Sequence, residues 1–149
     1  MQAPLDRAFN VAVNHIASVL FPTGFDVADT APSSLSELQQ HVAATGRMLV
    51  WDGASDATIF GDDETNFAFR AWHDWCHLFG GFTFDLAGET LAMQMQQRHI
   101  RTLYGNGAQT DRWCKLLEAE IVGQARYHAA TGQFPADQVA FTRQYLAAA

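Results

Sequence analysis

Two histidines four residues apart, His73 and His77, lie in the segment His73-Asp74-Trp75-Cys76-His77, and Glu89 follows after eleven intervening residues. On a helix, that spacing projects two side chains from one face, one turn apart. Two imidazoles held this way can grip one divalent cation, and a carboxylate from a neighbouring element can complete the set. Zn²⁺ suits such donors first, with Fe²⁺ or Mn²⁺ as alternatives; Ca²⁺ and Mg²⁺ favour shells of oxygen alone. Two imidazoles and one carboxylate also leave coordination positions open, as a catalytic ion requires.

The surrounding residues form polar stripes on otherwise apolar helices. Winding residues 66–79 at about 100° per residue puts Asn66, Arg70, His73, Asp74 and His77 on one stripe. The other positions are apolar or small, so this helix is expected to be buried, its stripe facing solvent or an internal polar site. In the helix after Asp85, Met93, Ile100, Leu103 and Tyr104 form an apolar face with Glu89 and Gln96 in its middle. A carboxylate there is costly unless it is paired, hydrogen-bonded or metal-bound, which makes His73 and His77 its natural partners. Its place near a helix start offers a plainer account, because acidic residues favour that end of the dipole.

A third helix repeats the pattern. Trp113, Leu116, Leu117 and Tyr127 mark its inward face, yet Glu120 and Gln124 sit one turn apart in the middle of that face, with His128 at its edge. These two predict a second wall of the same site, Glu120 serving as ligand, base or a partner that orients a histidine. The alternative is a buried hydrogen-bond network without chemistry. Gly123 beside them would let a neighbouring helix approach closely. Arg70, one turn before His73, could bind a substrate carboxylate or pair with Asp74 or Glu120. Arg70, Glu120 and Gln124 are therefore the candidate catalytic residues, while His15, His41 and His99 read as surface or packing histidines.

Punctuation along the chain sets the elements that must position these groups. An amphipathic helix is expected over 4–20, with Leu5, Phe9, Val13, Ile16 and Leu20 on one side and Pro22 and Gly24 ending it. Ser34-Leu35-Ser36-Glu37 resembles a capping box opening a short helix that Gly46 stops. Residues 48–51 predict a short strand or extended strap, and 52–56 a turn. Asp62 to Thr65 suit a helix start and Gly80-Gly81 its end. Asp85 caps a helix to Tyr104, stopped by Gly105-Asn106-Gly107. The third long helix runs from Thr110 to Thr131, and Pro135 takes the first position of a last one reaching Leu146. The expected fold is all-α: a single-domain helical bundle of about six helices over 1–149, with one short extended strap. The strap from Trp51 to Phe60 could cover the site or form an interface.

Composition narrows the function classes. Hydrophobic residues at 48% against 17% charged, in 149 residues, describe one domain with a real core rather than a disordered chain. Eleven Phe and four Trp suit bulky walls around a flat or greasy ligand, or simply a well-filled interior. A net charge of −7 with one lysine, Lys115, argues against nucleic acid and against anionic lipid surfaces. The apolar stretch 11–21 is broken by Asn14 and His15, so neither a signal peptide nor a transmembrane helix is expected. Cys76 and Cys114 are isolated and fit a reducing cytoplasm. The partners left are a small-molecule ligand, another protein or a second copy of the chain.

The spacing His73-Asp74-x-x-His77, eleven residues, Glu89 resembles the signature of the Coq4 family, helical proteins of ubiquinone biosynthesis whose signature is thought to bind zinc or another divalent metal. The resemblance implies Asp74 as a ligand beside His73, His77 and Glu89. It also implies a metal-dependent lyase or decarboxylase removing a ring carboxylate from an aromatic quinone precursor. By its own geometry Asp74 sits to one side of the histidine stripe and could equally accept an imidazole N–H. The compact, Gln-rich chain also resembles small uncharacterised phage proteins, which would suit a non-enzymatic structural or interaction protein with a structural metal. A further alternative is an HD-type metal phosphohydrolase centred on His73-Asp74, drawing on His41 and on Asp111 or Asp137.

Overall fold

Short polar side chains start the helices by accepting backbone N–H groups that the first turn leaves unpaired. The computed structural model describes residues 3–55 and 57–148; Asp56, at the end of the expected turn, lies outside them. Helix α1 spans Arg7–Leu20, with Asp6 accepting from Phe9 N at 2.9 Å. It begins later than Pro4 because the preceding residues are extended, Leu5 N donating to Ile59 O at 2.8 Å. Helix α2 spans Leu35–Thr45, Ser34 accepting from Glu37 N. The Glu37 carboxylate reaches back to Ser33 N at 2.7 Å, so the expected box is displaced by one residue. Gly46 closes α2 at φ 70°, where a Cβ would be strained.

The expected single strap is one of two strands. β1 (Asp26–Ala28) and β2 (Leu49–Trp51) pair in parallel, Asp26 opposite Leu49 and Ala28 opposite Trp51, with α2 as the crossover. β1 is three residues long and mostly exposed, too short for alternation to register. Arg47 pins its start, with Nε 3.0 Å from Asp26 Oδ2.

The remainder is helical, as expected. α3 spans Asp63–Gly80, capped by Asp62 through Thr65 N at 2.7 Å, and α4 spans Leu86–Tyr104, capped by Asp85 through Gly88 N at 2.8 Å. α5 (Ala108–Glu118) passes through a π turn, Ala119–Gly123, into α6 (Gln124–Thr131) without leaving helical backbone angles. α7 spans Gln138–Ala147. It begins at Asp137, which accepts from Ala140 N at 3.0 Å, so Pro135 precedes the helix instead of occupying its first position.

Helix α3 forms the centre. Trp72 and Cys76 are fully buried in one cluster with Phe9, Val13 and Ile16 of α1, Ala92 and Ile100 of α4, and Leu116 and Leu117 of α5. Leu103 and Tyr104, expected on the apolar face of α4, are 51% and 40% exposed because the end of the helix outruns that core. Gly123 behaves as expected: a Cβ there would stand 3.0 Å from the Tyr145 ring, so its absence admits α7.

Candidate metal centre

The α3–α4 connection brings the two imidazoles to the carboxylate. Gly81, at φ 67°, turns the chain, and Phe82 N donates to His77 O at 3.0 Å. Phe82 O in turn lies 2.9 Å from His77 Nδ1. A carbonyl can only accept, so Nδ1 carries the proton and Nε2 keeps its lone pair. His73 is oriented the same way, its Nδ1 lying 2.8 Å from Gln96 Oε1. With that oxygen facing the ring, His73 Nε2 is the lone-pair nitrogen too.

Both lone pairs point at Glu89. His73 Nε2 is 2.7 Å and His77 Nε2 is 3.2 Å from Glu89 Oε2, and the two Nε2 atoms are 3.1 Å apart. Three electron-rich atoms this close repel one another unless a proton or a cation sits among them. Zinc bonds of about 2.0–2.1 Å in tetrahedral array place ligand atoms about 3.3 Å apart, close to the two separations that involve His77, while His73 and Glu89 stand at a hydrogen-bond distance. His73, His77 and Glu89 are the group of ligand atoms that gathers in this way among the described residues.

Without a cation, a proton fills the gap and the same contacts become hydrogen bonds from imidazole to carboxylate. Burial pushes the Glu89 carboxyl up, but the hydrogen bonds and charges of His73 and His77 outweigh it and hold it down to about 2. Burial pulls His73 down, and Glu89 with smaller help from Asp74 and Gln96 raises it above the usual imidazole value. Asp74 stands outside the triad; burial pushes it up to about 6 against the opposing pull of both imidazoles.

His73 and Glu89 line a cleft of about 420 Å³ whose other walls include Phe69, Phe84, Glu120, Gln124 and Phe134, while His77 is buried behind them. Sequence reasoning thus found Glu120 and Gln124 on the same cleft as His73. Glu120 lies within the π turn and Gln124 directly follows it, and such turns are frequent at functional sites. Glu120 accepts from Thr142 Oγ1 at 3.0 Å, and burial pushes its carboxyl up to about 7 despite that bond. Arg70 is not part of this cleft: its Nη1 and Nη2 bind Trp51 O at 2.6 Å and Ala54 O at 3.3 Å, in an adjoining chamber. Trp51 and Ala54 of the strap therefore form part of that chamber's wall.

Of the other histidines, His99 accepts from Trp72 Nε1 at 2.9 Å as a packing group, and His15 is exposed. The residues an HD-type centre would need do not gather with His73 among the described residues. Asp111 pairs with Arg101 at 3.0 Å, Asp137 caps α7, and His41 lines a shallow depression with Thr30 and Pro32. Sequence reasoning missed Phe82, whose contribution is a backbone carbonyl, and Thr142, one polar residue on a weakly patterned helix. No helix of the described residues is long and apolar enough to cross a membrane. In comparisons with known proteins, no family model, curated protein or solved structure matches this chain.

Proposed function

We propose that this protein is a metal-dependent enzyme, its divalent cation held by His73, His77 and Glu89 and its substrate a small molecule entering the adjoining cleft. The convergence of three lone-pair atoms, with each imidazole fixed by a separate acceptor, carries this reading. The outer hydrogen bonds are those that commonly fix the tautomer of metal-bound histidine. Two imidazoles and a carboxylate favour zinc, with iron or manganese next.

Three protein ligands leave room for water or substrate, which supports an enzyme over a structural metal with four protein ligands. A cation so held supplies Lewis-acid polarisation, or a bound water acidic enough to react near neutral pH. The chain adds Glu120, which exchanges its proton around pH 7, and the apolar walls Phe69, Phe84 and Phe134. A narrower proposal, a Coq4-like decarboxylase acting on an aromatic carboxylate, rests on the spacing of His73, Asp74, His77 and Glu89 alone.

Cobalt substitution tests the main reading. The wild-type protein should take up one equivalent of Co²⁺, and His77→Ala or Glu89→Ala should lose it. Azide should change the visible spectrum by entering an open position. A spectrum indifferent to azide would make the metal structural, and unchanged uptake in His77→Ala would remove the site.

A further inference from the structure

The chamber adjoining the cleft carries buried polar groups separate from the triad. Asn66 and Gln124 are 4% and 8% exposed, and neither Asn66 Nδ2 nor Gln124 Nε2 has a hydrogen-bond partner. Gln124 is near enough to Glu120 to favour its ionised form, yet its Nε2 completes no hydrogen bond there. Each buried donor left unpaired costs on the order of 1–3 kcal/mol. Two in one cavity therefore call for an acceptor that arrives from outside the protein.

Asn66 and Gln124 both line a chamber of about 260 Å³ together with Phe69, Arg70, Glu120 and Phe134; their unpaired nitrogens are sealed from solvent and reach a ligand there through a turn of the amide. Phe69, Glu120, Gln124 and Phe134 also line the cleft at the metal centre, so the two spaces share a wall. A ligand seated in the chamber can extend towards the triad.

What is engaged and what is free defines that ligand. Asn66 and Gln124 offer N–H donors and need an oxygen acceptor. Glu120 Oε1 takes the Thr142 hydroxyl, leaving Oε2 to accept an N–H from a ligand. Arg70 does not present an open fork to an anion, because Trp51 O and Ala54 O hold its Nη atoms and its guanidinium stands 5.6 Å from the Trp51 ring centre. Among the described residues Arg70 is the one cation lining the chamber and is engaged, so a carboxylate or phosphate seated there would lack an ion-pair partner in the chamber itself. Two donors and one acceptor instead complement a C(=O)–N–H edge, and the rings of Phe69 and Phe134 suit a flat body.

We infer that this chamber binds the planar amide edge of a small neutral ligand, a carboxamide, lactam or ureide, through Asn66, Gln124 and Glu120. The inference rests on the metal-centre reading only in making that ligand a substrate; the binding groups are separate from the metal ligands.

The test is an NMR titration of the full zinc-loaded chain with benzamide, benzoate and toluene, following the side-chain NH₂ signals of Asn66 and Gln124. Benzamide should move both signals saturably, binding about tenfold or more tighter than the other two. Asn66→Leu and Gln124→Met should each weaken it about tenfold while zinc content stays at the wild-type level. Equal binding in the variants, a preference for benzoate or toluene, or NH₂ groups held by a long-lived water and indifferent to benzamide would overturn the assignment. The wild-type ranking decides the matter alone if a variant does not fold. Benzamide binding without zinc uptake would sink the metal centre and leave the chamber; zinc uptake without benzamide binding would do the reverse.

Discussion

His73 and His77 meet at their Nε2 atoms, 3.1 Å apart, with ring planes at 86° to each other. Helical spacing alone makes them neighbours; the near-perpendicular rings come from two different acceptors, Gln96 Oε1 and Phe82 O, holding the opposite nitrogens. The site therefore depends on groups that touch no metal.

Gln96 should accordingly matter to affinity. It is fully buried, and its Oε1 lies 2.8 Å from His73 Nδ1. Gln96→Leu should weaken metal binding by about 10–100-fold, measured by competition with a chromophoric chelator, with circular dichroism unchanged. Gln96→Glu restores an acceptor and should regain most of the loss. Equal affinity in all three proteins would show that the His73 ring needs no such support.

Gly88 should prove intolerant of any side chain. A Cβ there would lie 1.6 Å from Thr83 O, a backbone atom that cannot step aside without moving the α3–α4 connection. Gly88→Ala should cost about 1–3 kcal/mol in thermal or urea unfolding. It should also loosen the metal, because Glu89 is the next residue. A stable Gly88→Ala protein with full metal affinity would mean that this connection does not position the carboxylate.

Stability should fall as the solution passes from acidic to neutral pH, through Glu120. Its folded-state value, about 7, lies above the unfolded 4.5, so the fold prefers the protonated carboxyl. That stabilisation is complete below about pH 4.5 and is lost as pH rises through 7. The difference amounts to roughly 3 kcal/mol. Comparing metal-free wild type with Glu120→Gln by urea unfolding from pH 4 to 8 isolates it: the variant should gain relative stability towards pH 8. Parallel profiles would mean that Glu120 ionises as it does in the unfolded chain.

Cys76 should be inert while the protein is folded. It is fully buried, and burial pushes its thiol up to about 12, so almost no thiolate is present near neutrality. Native protein should react with a disulfide reagent at Cys76 only at the rate of unfolding, and denatured protein at once. Fast labelling of Cys76 in the native state would contradict the packing of α3.

Much of this was legible in the residue order because the signals are local. Ser34, Asp62 and Asp85 act on N–H groups three positions on, and Gly46 and Gly81 permit positive φ wherever they occur; Asp6 and Asp137 cap in the same way, though residue order alone puts the starts of those helices at Pro4 and Pro135. The spacing of His73 and His77 and the misplaced polarity of Glu89, Gln96, Glu120 and Gln124 are likewise periodic, and periodicity is a one-dimensional property. What a chain cannot encode locally is which atoms meet. The parallel pairing of Asp26–Ala28 with Leu49–Trp51, the tethering of Arg70 to the Trp51 strap, the Phe82 carbonyl on His77 and the hydroxyl of Thr142 on Glu120 all join segments through packing. Amino-acid order chose the ligand types and the face they share; only the closing of α3 against α4 and α5 decided that three lone pairs converge, because contact energies between distant residues exist only once the core has formed.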